Sequence, residues 1–218
     1  MKQTPLLMNQ TSMAAYLAGR KNQTRRPVKL PPVLKRMRGD LSKAWVDGPC
    51  FSAGQYLKVP CTCDDSGEAW DDTVQRLYCP YGEPGEDGLY FKETFREFDD
   101  GDTFYRADFR HGEIPIHAND DPDKWKWQPS IFMPKRLARF HVPLLAVQVE
   151  RVQDISEEDA IAEGVEAVQN EGSLHISAAY NFSLLWDSIH GKKPEYKWSA
   201  SPWVWCLEFP KYNAKETT

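Results

Sequence analysis

The run Gly19-Arg20-Lys21-Asn22-Gln23-Thr24-Arg25-Arg26 gathers a glycine, an amine, a hydroxyl and three guanidinium groups into eight residues. Glycine ends a helix in the left-handed conformation. Cations placed where the backbone leaves that helix suit a phosphate, a carboxylate or a polarised carbonyl. A basic turn after a helix is also a common form of plain surface. The elements around the run decide between the two readings.

A short helix over Ser12 to Ala18 precedes it, with Asn9, Thr11 or Ser12 available as N-cap and Gly19 as stop. From Gln23 to Lys29 the chain reads as extended, because Pro27 restricts Arg26 to β-type conformations and suits an edge strand. Further strands are expected over Gln55 to Val59, Leu89 to Phe95 and Leu144 to Val152. Ser156, with Asp159 three residues on, starts a helix that Gly164 ends. Tyr180 to Ile189 carries Phe182, Leu185, Trp186 and Ile189 at helical spacing and stops at Gly191, so it reads as a helix whose aromatic side chains are expected in the core. Trp125-Lys126-Trp127 offers rings that stack on bases or that pin a loop to the core.

Written as G-x-K-x-x-T-x-R, with Gly19, Lys21, Thr24 and Arg26, the opening run resembles the signature of ASCH domains, small β-barrels related to the PUA RNA-binding fold. With Thr at position 24 it is similar to the bacterial N4-acetylcytidine amidohydrolases among them. Asp154 to Gly164 resembles the family's short helix after a barrel strand, and Pro202 to Phe209 its last strand. Lys92-Glu93-Thr94 stands where related phage proteins carry Arg-Glu-Thr. The resemblance covers residues 11 to 29, 84 to 95 and 128 to 209 and is strongest to longer phage and prophage proteins. It implies an α+β chain: one PUA-like mixed β-barrel domain over residues 1–218, with short flanking helices and loop-rich insertions at about 33–83 and 96–130.

The same resemblance assigns catalytic roles to Lys21, Thr24 and Glu163. Amide hydrolysis needs a nucleophile, a base for its proton and an acid for the leaving nitrogen. Lysine serves as the base only when burial or a nearby cation lowers its pKa, and Glu163 would orient it or relay a proton. Residues 21 and 24 point to opposite faces of a regular strand, so joint action requires an irregular junction between them. Arg20, Arg25, Arg26, Glu93 and Trp203 are the expected substrate contacts, and Glu93 alternatively an ion-pair partner of Arg25 or Arg26. The implied function is recognition of a nucleobase, a modified nucleoside or RNA, RNA being favoured over DNA, and amide hydrolysis of an N4-acylated cytidine is its enzymatic form. The alternatives are a non-catalytic nucleic-acid-binding module and a phage-encoded protein that engages a host protein. No cofactor is implied.

Bulk properties set limits. A chain of 218 residues suits one domain with insertions or two small ones. It has no apolar run long enough for a bilayer and no signal-peptide core, which points to a cytoplasmic protein without a membrane partner. Cys50, Cys61, Cys63, Cys79 and Cys206 are odd in number and irregular in spacing, as reduced thiols are, and without a C-x-x-C pair or nearby histidine no metal site is expected. The net charge of −5 conceals an asymmetry. Arg20 to Lys43 holds nine Lys or Arg against one Asp, whereas Asp64 to Asp123 holds eighteen acids against five Lys or Arg. The two stretches either neutralise one another at the surface or form a basic strip for a polyanion beside a repelling acidic insertion.

Overall fold

A computed structural model describes residues 2–30, 41, 44–46, 56–63, 69–109, 126–169 and 175–214. Trp125, Cys50 and much of the 33–83 and 96–130 stretches lie outside the described residues. The chain is mixed α+β, with several small sheets and few helices.

Two three-stranded sheets hold the main core. The first sets β1 (Gln3–Leu7) parallel to β6 (Gly88–Lys92), which pairs antiparallel with β9 (His141–Pro143). The second is antiparallel, with β13 (Trp203–Glu208) between β10 (Ala146–Arg151) and β2 (Gln23–Pro27). Leu6, Leu89, Phe91 and Val142 from the first sheet and Val147, Val149, Trp205 and Leu207 from the second form one apolar cluster. Burial of such side chains stabilises by roughly 1.5–3 kcal/mol each.

The expected strand over 144–152 begins two residues later, because the chain turns a corner first. Leu144 N–H donates to Asp87, which leads into β6 of the first sheet, and Leu145 N–H to Glu208 of the second. One run from His141 to Arg151 thereby passes from sheet to sheet, as at the corners of orthogonal packings. At the opposite seam the edges are β1 and β2, which carry Pro5 and Pro27. Proline donates no ladder hydrogen bond and is confined to such edges. The expected closed barrel is accordingly not formed by the described strands, and the seam is bridged by a side chain, Arg26 Nη2 donating to Leu7 O at 2.6 Å.

Helix α1 (Gln10–Leu17) is capped by Asn9, whose side chain accepts from Ser12 N–H, and stops at Gly19 with φ +69°. Its Tyr16 packs on Phe91, Phe140 and Phe209 and closes one end of the core. Helix α2 (Glu157–Ala162) begins at Ser156, whose hydroxyl accepts from Asp159 N–H, and turns at Gly164 with φ +89°. Helix α3 (Ala178–His190) covers the outer face of the second sheet, where Phe182 and Trp186 pack with Val204 and Cys206. Both aromatics are buried as expected, whereas Leu185 is only half-buried and Ile189 is exposed. No described helix is long and apolar enough to cross a membrane.

The remaining strands are β3 (Trp45–Val46), β4 (Tyr56–Cys63) and β5 (Ala69–Tyr78) in one sheet, the hairpin β7 (Phe95–Glu97) with β8 (Thr103–Tyr105), and the pair β11 (Val168–Gln169) with β12 (His175–Ile176). The expected strand over 89–95 is split, since β6 ends at Lys92 and β7 starts at Phe95. Trp127 packs against Phe109 at 5.9 Å and under Arg106 at 5.5 Å, inside the loop-rich segment that follows β8.

Candidate functional site

The turn after Gly19 is fastened to α2. Asn22 N–H donates to Ala162 O at 3.0 Å, and the Lys21 amine reaches the helix C-terminus. It donates to Glu163 O at 2.8 Å, to Glu163 Oε2 at 2.7 Å and to Gln23 O at 2.7 Å. An ammonium has three protons, so all three are used. The C-terminal end of a helix also carries partial negative charge that favours a cation. Lys21 is 1% exposed. Burial lowers its pKa from the usual lysine value; Glu163 opposes that shift, and Arg26 and Arg25 add to it.

Glu163 is buried too, and its Oε1 accepts no hydrogen bond among the described residues. Arg25 Nη1 stands 3.6 Å from it. Arg25 is otherwise held by Glu150 at 2.8 Å, Asp159 at 3.1 Å and Gln23 Oε1 at 2.6 Å, and it is 2% exposed. It binds these carboxylates, which leaves little of it for a ligand.

Register places Thr24 elsewhere. Opposed residues of an antiparallel pair share a face. Gln23 and Arg25 oppose Glu208 and Cys206, on the helix side, whereas Thr24 and Arg26 oppose Leu207 and Trp205, on the side of the main core. The turn at residues 19–22 lets Lys21 meet Glu163, but β2 is regular from Gln23 onward. No hydrogen bond joins Thr24 to either residue among the described ones. Of the three groups expected to act together, two are in contact.

Of the other expected contacts only Arg20 joins Glu163. Arg20 is exposed, pairs with Glu166 and lines the same cavity as Glu163. Glu93 is 1% exposed and is gripped by Arg139 through both oxygens, at 2.8 and 2.9 Å, so neither Arg25 nor Arg26 is its partner. Burial raises the Glu93 pKa and Arg139 opposes the shift. Arg139 also holds Asp108, which ties the loop-rich segment to β6. Trp203 lies beneath the Arg151 guanidinium at 4.3 Å, with Nε1 buried and unbonded among the described residues, and lines neither of the two cavities that flank α1.

Two cavities flank α1. A smaller one of about 460 Å³ is lined by Glu163, Gly164, Thr11, Ala15, Asn181 and Leu185. A larger one of about 750 Å³ opens at the proline-edged seam, where Pro5, Leu7, Arg26 and Pro27 form part of its wall. It also receives Lys29, Lys92, His190, Lys192 and Lys193, and among the described residues no Asp or Glu. Ser12 lines both. Of these cations Arg26 and Lys29 belong to the basic stretch evident from sequence. The signal for two more is Gly191-Lys192-Lys193, a glycine stop followed by cations, the same form as Gly19-Arg20-Lys21.

Burial, then Arg26 and Lys29, push the His190 pKa down to about 4. Burial raises the Cys79 thiol to about 11 and the Cys206 thiol well above the usual range, so neither is a ready thiolate at neutral pH. Among the described residues no cluster of three or more His, Cys, Asp or Glu is arranged to hold a metal ion. Compared with family models, curated proteins and solved structures, the chain finds no match.

Proposed function

We propose that this protein is a PUA-like, ASCH-type module that recognises a nucleobase or modified nucleoside, free or within RNA, in the trough between α1 and α3. The observation that carries the reading is the buried Glu163 carboxylate, one oxygen of which accepts from Lys21 while the other accepts no hydrogen bond among the described residues. A buried acceptor without a donor is costly, about 1–3 kcal/mol or more for a charged group. A ligand N–H, such as an exocyclic amine or amide of a base, relieves that cost. Glu163 lines the smaller cavity, where such a group would enter. Two sheets sharing one core, joined through a corner at Leu144–Leu145, support a PUA-like barrel left open at one seam.

Hydrolysis of an N4-acyl cytidine is the second reading, and the same free oxygen favours it. The Lys21 protons are all engaged, so Glu163 Oε1 is the acceptor that this cluster offers. Water adds to the acyl carbonyl as its proton passes to Glu163. The carbon–nitrogen bond then breaks, the proton goes to the departing N4, and cytidine and the carboxylic acid result. Lys21 orients the carboxylate, and burial supplies the low-dielectric setting in which such a transfer is effective.

The test is calorimetric titration with cytidine and N4-acetylcytidine, together with chromatographic detection of released cytidine. Wild type should bind, and Glu163→Gln should bind more weakly and release no cytidine. Binding without turnover leaves the recognition module. No binding to nucleoside or RNA by either protein removes the proposal.

A further inference from the structure

We propose that the larger cavity is a phosphate-binding subsite, so that the ligand is a nucleotide rather than a bare nucleoside. This rests on the nucleoside reading above and names the part of the ligand that reading leaves unplaced.

Cations converge here from three separate parts of the chain: Arg26 and Lys29 at the end of β2, Lys92 at the end of β6, and Lys192 and Lys193 after α3. The chain as a whole is acidic, at −5. Like charges gathered in one concavity repel, and an anion offsets that repulsion. Among the described residues none of the five has a carboxylate partner. Two are pinned to the walls through carbonyls, Arg26 to Leu7 and Lys92 to Ile131, both at 2.6 Å. Amines and guanidinium groups that are already oriented lose little freedom when they bind a phosphate. His190, whose ring lies 4.4 Å from that of Trp186, adds a neutral N–H donor at pH 7, since its pKa is depressed to about 4.

In this reading the ligand spans both cavities. Ser12 belongs to both. On α3, Asn181 and Leu185 line the smaller cavity and Ile189 the larger, a stripe at spacings of four along one helix face, with His190 beside Ile189 on the larger one. Residues 181 to 190 span roughly 13 Å of helix axis. That length holds a base, a sugar and a phosphate in line, with the base toward Glu163 and the phosphate among the cations. A cavity of about 750 Å³ also lies within the range of small-ligand sites.

The experiment titrates wild type and Lys192→Glu/Lys193→Glu with inorganic phosphate, cytidine, cytidine 5′-monophosphate and a short oligocytidine RNA at two salt concentrations. Both substitutions are at exposed positions beyond α3, and circular dichroism verifies the fold. The monophosphate should bind wild type about tenfold or more tighter than cytidine, as one charge-assisted contact implies. In the double variant that advantage should disappear while cytidine affinity stays the same. An oligomer tighter than the monophosphate, with a steep salt dependence, assigns the subsite to an internucleotide phosphate. The reverse order assigns it to a terminal one. If phosphate binds and the double variant loses it while cytidine binds neither protein, the subsite stands and the nucleoside reading falls. Equal wild-type affinities for cytidine and its monophosphate, or equal weakening of both in the variant, would overturn the subsite.

Discussion

The Lys21–Glu163 pair allows a sharp test, because both partners are almost fully buried, with side chains 2% and 6% exposed. At 2.7 Å and an effective dielectric of about 20 the attraction is about 6 kcal/mol. Desolvating two ions costs several kcal/mol each, so the intact pair contributes little net stability, whereas removing one partner costs about 3–5 kcal/mol. Lys21→Met should fall near the low end, because Arg25 still faces the stranded carboxylate at 3.6 Å. Glu163→Leu should fall near the high end, since it leaves a buried ammonium with carbonyl partners alone. Lys21→Met/Glu163→Leu removes both charges and should lose at least about 2 kcal/mol less than the sum of the two single changes. Urea unfolding followed by tryptophan fluorescence measures all four proteins, with slopes compared to verify that only stability changes. The pH response supplies a second reading. Lys21 has a folded pKa below its unfolded value, so between those values the unfolded state binds more protons and stability rises with pH. Loss of Glu163 removes the influence opposing that shift, so Glu163→Leu should regain stability more steeply than wild type as pH rises toward the ordinary lysine value. Additivity within about 0.5 kcal/mol would refute the coupled buried pair.

Three further outcomes follow from single positions. Gly164→Ala places a Cβ 2.6 Å from Ala15 Cβ and 3.2 Å from Lys21 Cβ at φ +89°, and should cost about 2 kcal/mol or more in thermal or urea unfolding, partly restored by Ala15→Gly; full tolerance would contradict the packing of this turn against α1. Cys79, at about 11, should react with iodoacetamide at pH 8 about tenfold more slowly in the native protein than in urea, after allowance for the stronger nucleophilicity of a basic thiolate; equal rates by residue-resolved mass spectrometry would count against its burial. His190 should titrate by NMR near 4, and because the unfolded chain takes up a proton that the folded one resists, wild type should lose stability as pH falls from about 6.5 to 4 and His190→Gln should lose less; a midpoint near 6.5 would remove the basic field inferred around it.

Sequence alone conveyed the features that one segment encodes by itself. Gly19, Ser156 with Asp159, Gly164 and Gly191 act through backbone conformation or neighbouring amides, and they delimit α1, α2 and α3 within a few residues. The contact of Lys21 with Glu163 was expected only through a resemblance, since 142 residues separate them. Features that depend on register or on two distant edges were not legible. The corner at Leu144–Leu145 sits inside one alternating apolar pattern, and nothing local says that the pattern serves two sheets in turn. Glu93 meets Arg139, 46 residues on, because β6 and β9 are neighbours. Ile189 keeps the helical spacing of a core residue yet faces the larger cavity.

Charge summed along the chain was the least reliable guide, for a physical reason. The basic stretch from Arg20 to Lys43 suggests one electropositive strip, but strand alternation divides its cations. Lys21 and Arg25 turn toward Glu163, Asp159 and Glu150, where carboxylates neutralise them. Arg26, one residue on, faces the proline-edged seam. There it meets Lys92, which lies within the stretch whose composition is most acidic, and Lys192 and Lys193 from the far end of the chain. The field that a ligand encounters is set by which side of β2 each cation leaves. A shift of one residue in the register of β2 against β13 would exchange the two sets, directing Arg25 into the cavity and Arg26 into the carboxylates. The buried ion network and the open basic cavity therefore depend on the same register, and the hydrogen bond from Asn22 to α2 helps to fix it.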